Sequence, residues 1–105
     1  MAKFIYIFVG GAPAKGQEEQ NMKDWRDWIQ SLQDKKVYDS GLPFGWTKKT
    51  VKSDGTVEDS KNPNSGYAIV EASSIDEAMD WAKTGPVGKY GGSTEVYDIM
   101  DMPGM

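Results

Sequence analysis

The stretch KFIYIFV at residues 3–9 constrains the fold of this chain more than any other. Aromatic and β-branched residues alternate along it, so it reads as a strand. Strand side chains point alternately to the two faces, and here both faces are apolar. Phe4, Tyr6 and Phe8 take one, and Ile5, Ile7 and Val9 take the other. A strand apolar on both sides is usually covered on both sides, and so central in its sheet. In a chain of 105 residues with two helical segments, the helices cover only one sheet face. The simplest cover for the other is a second copy, so the pattern predicts a homodimer formed through the sheet face.

The same run, with Lys3 before it and Ala12-Pro13-Ala14 after it, has the outline of a short secretion signal. Its single lysine, its brevity and its strand-like alternation argue against that reading. No stretch approaches the length of a membrane span. A soluble, cytoplasmic protein with no membrane partner is expected.

GGAPAKG (10–16) reads as a loop, and a first helix is expected over 17–35. Met22, Trp25, Ile29 and Leu32 recur there at helical spacing, with Trp28 beside them and charged residues on the other side. Glu18 and Glu19 near its start and Lys35-Lys36 at its end suit the helix dipole. Gly41 and Pro43 then read as a break. A second strand is expected over 44–52, turning at Asp54-Gly55 and returning through TVED. After a loop at 61–65, GYAIVEA (66–72) is the third strand.

Ser74 opens SIDE, a capping box in which the Ser74 hydroxyl accepts from the Glu77 amide and the Glu77 carboxylate reaches back to the Ser74 amide. Ile75, Ala78, Met79 and Ala82 form the expected buried stripe of a second helix, with Trp81 at its edge. Gly85 is read as its left-handed cap and Pro86 as its stop. STEVYDIM (93–100) is the last strand, and residues 101–105 are expected to be a frayed tail of the single domain 1–105. The order β-α-β-β-α-β predicts an α+β, ferredoxin-like antiparallel sheet with both helices on one face.

Two absences bound the chemistry. With no cysteine there are no disulfides, thiolate nucleophiles or cysteine metal sites. With no histidine, the usual base near neutral pH and every Ser-His or Cys-His arrangement are gone. No metal or cofactor is expected, and any catalysis falls to carboxylates, Tyr, Lys or backbone groups. The formal charge of -4 disfavours nucleic acid as a main partner.

Individual motifs resolve to bland readings. GAPAKG sits where a phosphate loop would, but Gln17-Glu18 follow Gly16 in place of Lys-Ser/Thr. Lys48, Lys49 and Lys52 beside Trp46 suggest an RNA-binding surface, yet the RNP1 pattern is missing and a solvated hairpin edge fits better. Asp54, Glu58 and Asp59 lack the spacing of a calcium loop and read as a charged turn. Trp46, Tyr67 and Tyr97 are candidates to line a small-molecule cavity where the second sheet face closes on a partner. Glu95 is the candidate carboxylate beside it, and Glu71 flanks the centre of the third strand in the same way.

GYAIVEASSIDEAMDWAKTGPVGKYGGSTEVYDIM (66–100) resembles the YCII-related family, with its DGPF-type branch. The resemblance lies in the Gly-Tyr-hydrophobic strand, the Ser-x-Asp-Glu-Ala helix start, the Pro after the helix, the Gly-Gly and the Glu-Val strand. It extends more weakly to WRDWIQSLQDKKVYDSGLPF (25–44). It implies a dimeric α/β barrel of ferredoxin-like subunits. Some members carry a His and Asp pair proposed as an active site. Here there is no His, Gly85 stands where those members have the Asp before Pro, Asp24 lies near the helix-one His position, and the DGPF loop reads KNPNS. That pair is therefore not carried over. The expected function is a YCII-like homodimer that binds a small molecule or serves as an accessory module. The alternative is a cofactor-free enzyme using a carboxylate in the barrel cavity, with RNA binding a distant third.

Overall fold

The computed structural model describes residues 1–104; Met105, the last residue of the expected tail, lies outside the described residues. The chain forms β1 (Ala2–Val9), α1 (Glu18–Asp34), β2 (Tyr38–Pro43), β3 (Lys49–Val51), β4 (Val57–Asp59), β5 (Asn64–Ala72), α2 (Ile75–Ala82), a 3₁₀ helix (Pro86–Tyr90) and β6 (Ser93–Asp98). Four strands make one antiparallel sheet in the order β2-β5-β1-β6, and β3 and β4 pair with each other in a second, two-stranded sheet. This is the α+β, ferredoxin-like arrangement, with β1 and β5 central.

Both helices pack on one face, and the alternation of β1 shows which. Phe4, Tyr6 and Phe8 are buried with Gly66, Ala68, Val70 and Ala72 of β5, whereas Ile5, Ile7 and Val9 are only half-buried. Each fully buried large side chain there is worth about 1.5–3 kcal/mol. Phe8 meets Trp25 edge-on at 4.7 Å between ring centres, and Trp28 packs on both Tyr6 and Phe8. The Trp28 indole N–H donates to Trp81 O (3.2 Å) and Thr84 Oγ1 (3.1 Å), tying α1 to the end of α2. The molecule measures 46 × 44 × 18 Å, a slab of one sheet and one helix layer.

The second sheet strand is Tyr38–Pro43, not 44–52. Gly41 and Pro43 do not break the chain; they sit in an edge strand, where a missing amide donor is tolerated. A Cβ on Gly41 would lie 2.7 Å from Tyr67 O and 2.9 Å from Ala68 Cα, so glycine is there because β5 runs so close. Residues 44–52 instead lead into the β3–β4 hairpin. Its turn is held by Asp54 Oδ1, which accepts from the Thr56 amide (2.9 Å) and hydroxyl (2.7 Å).

The helices correct the sequence reading in detail. Met22 is exposed, and α1 buries Trp28 and Leu32 with Trp25 and Ile29 beside them. On α2 only Ala78 is fully buried, while Ile75 and Met79 are exposed. Ser74 Oγ accepts from the Glu77 amide (3.1 Å), as the capping box requires. The Glu77 carboxylate, however, takes the Ser73 amide (2.9 Å), one residue further back than expected.

Gly85 is extended (φ -69°, ψ 150°), not left-handed; it precedes the 3₁₀ helix that Pro86 opens, in a stretch with no periodicity to announce it. β6 ends at Asp98, and residues 99–104 carry no helix or strand.

Candidate functional site: the open sheet face

The face of the sheet away from the helices is largely apolar. Across it, Ile69, Ile5 and Tyr97 form one row and Tyr67, Ile7 and Glu95 the next, by strand register. Leu42 pairs beside Tyr67, and the Phe44 ring stacks on Tyr67 at 6.0 Å and 23°. Leu42, Phe44, Tyr97 and Ile99 are all exposed. At its margin Lys3 pairs with Asp39 at 2.9 Å, which holds the Asp39 carboxyl below its usual range.

Three of the four residues singled out from sequence, Tyr67, Glu95 and Tyr97, therefore share this face. The Tyr97 hydroxyl donates to Glu95 Oε2 at 3.3 Å, joining two of them directly. Glu71, opposite Lys3, is half-buried on the same face. Trp46 is not with them. It stands fully exposed between β2 and β3, beside a recess of about 260 Å³ lined by Lys48, Lys49 and Asp59. A larger groove of about 390 Å³ opens on the helix side between α2, the 3₁₀ helix and β6, lined by Met79, Ala82, Val87 and Val96, and it holds none of the four.

A second polar constellation escaped the sequence. Asp24 on α1 accepts from Lys89 Nζ and the Tyr90 hydroxyl, each at 2.7 Å to Oδ2, while Gln20 Nε2 donates to Oδ1 at 2.7 Å. Those bonds, Lys89 first, then Tyr90 and Gln20, lower its pKa to about 2. Lys89 is raised in turn by Asp24, and Tyr90 by burial and then by Asp24. With both oxygens engaged and the charge held this firmly, Asp24 is an acceptor that pins the 3₁₀ helix to α1, not a proton carrier near neutral pH. No spacing links residue 24 to 89 and 90; only the packing of α1 on the 3₁₀ helix brings them together.

A family model described as the YCII-related domain matches residues 4–103. The chain belongs to the YCII-related family. Among curated proteins no sequence match is found. Among solved structures the chain is similar to the 5-chloro-2-hydroxyhydroquinone dehydrochlorinase TftG from Burkholderia phenoliruptrix AC1100, in complex with 2,5-dihydroxybenzoquinone. The two share 24% identity at a TM-score of 0.55, over 95% of this chain and 94% of that one, a likeness of fold. Within this YCII-related chain, the position read as the family's Asp is closely packed. A Cβ on Gly85 would meet Ala82 O at 3.2 Å, closer than most such contacts, and the Trp28 ring at 3.4 Å, an ordinary van der Waals distance. Among the described residues no cluster of three acidic side chains is placed to hold a metal, and no helix is long and apolar enough to cross a membrane.

Proposed function

We propose that this YCII-related protein binds a small molecule between the open sheet faces of two copies, without the His and Asp pair described for some relatives. One observation carries the reading: the face opposite the helices carries apolar residues from all four strands, and no helix or strand among the described residues covers it. Two twisted sheets set face to face bury such surfaces and leave space between them that side chains or a ligand fill. Tyr67 and Tyr97 supply ring surface to that space. Covering Glu95 removes it from water, which is tolerable only if it keeps a hydrogen-bond donor. Tyr97 is one; a ligand with a hydroxyl or amine on a flat ring would be another.

The test has two parts. Sedimentation at micromolar concentration should give a dimer, and a monomer would end the proposal. A thermal-shift screen of ring-bearing metabolites, repeated on Glu95→Gln, should lose the response to the best ligand; an unchanged response removes Glu95 from the site.

The Glu95–Tyr97 hydrogen bond favours a second reading, in which Glu95 takes a proton from the ligand and the protein is a cofactor-free enzyme. The protein of similar fold is named as a dehydrochlorinase, which is consistent with proton-transfer chemistry on such a scaffold. Turnover of the bound ligand that disappears in Glu95→Gln while binding persists would establish it. Binding without turnover would leave the first reading.

A further inference from the structure

We propose that the β3–β4 arm of one copy reaches the β6 rim of a second copy and delivers Trp46 there, so that each site is built from both chains. The inference rests on the dimer proposed above. β3 and β4 pair only with each other, and an isolated two-stranded hairpin is marginal in water. Exposed polar pairs run along this one. Lys49 pairs with Asp59, Lys52 with Glu58 (3.2 Å), and Lys48 Nζ donates to Asn62 O at 2.7 Å. What this platform presents to solvent is Trp46 at full exposure, with Val51 and Val57 also exposed.

The arm leaves from the margin of the open face, since Phe44 stacks on Tyr67 just before Trp46. Its own β6 is out of reach on the far edge of the sheet, behind β5 and β1. That is three strand spacings, about 14 Å. In a two-fold assembly of two such sheets, the β2 edge of one copy lies beside either the β6 or the β2 edge of the other.

Charge chooses between them. The arm carries Lys48, Lys49, Lys52 and Lys61 against Asp54, Glu58 and Asp59, an excess of positive charge in a chain of net charge -4. β6 and its continuation carry Glu95, Asp98 and Asp101 with no cation among them. Two β6 rims side by side would repel, whereas the arm against β6 is complementary. The partner is therefore a second copy of this chain, with the Trp46 indole on its Tyr97 ring and the net positive arm facing its Glu95.

The absence of cysteine makes the test clean. Trp46→Cys and Tyr97→Cys are prepared separately, mixed at a concentration where sedimentation shows both variants dimeric, and treated with a thiol cross-linker of short reach. Both positions are at least half exposed, so neither substitution threatens the fold. The expected product is a covalent dimer joining the two variants, absent when Trp46→Cys is mixed with Glu19→Cys on α1. Cross-linking of Trp46→Cys to itself in place of Tyr97→Cys would overturn the proposal in favour of β2 edges side by side. A dimer with neither link would overturn the arm while leaving the sheet-face dimer standing, and a monomeric wild type would overturn both. Trp46→Ala should weaken dimerisation at least tenfold in sedimentation equilibrium.

Discussion

Tyr6 is fully buried at the centre of β1, and its hydroxyl donates across the core to Ala78 O on α2. Burial raises its pKa far above the usual phenol value, so it remains a donor throughout the neutral range. Tyr6→Phe keeps the ring and removes the bond; a loss of about 0.5–1.5 kcal/mol is expected in urea unfolding, with an unchanged m value. Asp24 behaves differently. Its folded pKa of about 2 lies below the ordinary 3.8, so folding favours the ionised form. Its contribution to stability is complete above pH 3.8, shrinks as the pH falls, and is gone below about 2. Asp24→Asn should melt a few degrees below the wild type at pH 6, and the gap should narrow as the pH falls from 4 toward 2. A gap that does not narrow over that range would mean that the carboxylate's charge is not what holds the 3₁₀ helix.

At the level of elements, the local signals that worked are those whose chemistry is complete within a few residues. The Ser74 cap is one; Ser74→Ala should destabilise by about 1 kcal/mol in thermal or chemical unfolding, because the Glu77 amide loses its acceptor. Signals that depend on a neighbour misled. Gly41 and Pro43 look like punctuation, but they form the edge strand β2, where the lack of a side chain at 41 lets β2 approach β5. Gly41→Ala should cost about 1–3 kcal/mol, since the nearest obstacles are backbone atoms of Tyr67 and Ala68 rather than a yielding side-chain tip. Gly85 looks like a left-handed cap, but its backbone is extended, and the atom nearest to where a Cβ would stand is Ala82 O at 3.2 Å. Periodicity likewise named Met22 and Met79 as core because it reports which residues share a helix face, not how wide the covered part of that face is.

For the whole molecule, the decisive feature is a sheet with one face finished and the other open. Ile7 lies at the middle of the open face, between Tyr67 and Glu95. Ile7→Lys should leave the circular dichroism of the chain native and convert the proposed dimer to monomer in sedimentation; an unchanged dimer would move the interface elsewhere. The α+β class, the central position of β1, its two apolar faces and the start of α2 followed from the sequence, because strand alternation, helical period and side-chain capping are local properties of neighbouring residues. The resemblance over residues 66–100 likewise pointed to the family that the match over 4–103 establishes. Tertiary structure alone decided which face of β1 the helices cover, that Trp46 stands off on an arm away from Tyr67, Glu95 and Tyr97, and that Asp24 meets Lys89 and Tyr90. Those relations join residues more than twenty, and in the last case more than sixty, positions apart, and their distances are set by how elements pack rather than by any spacing along the chain.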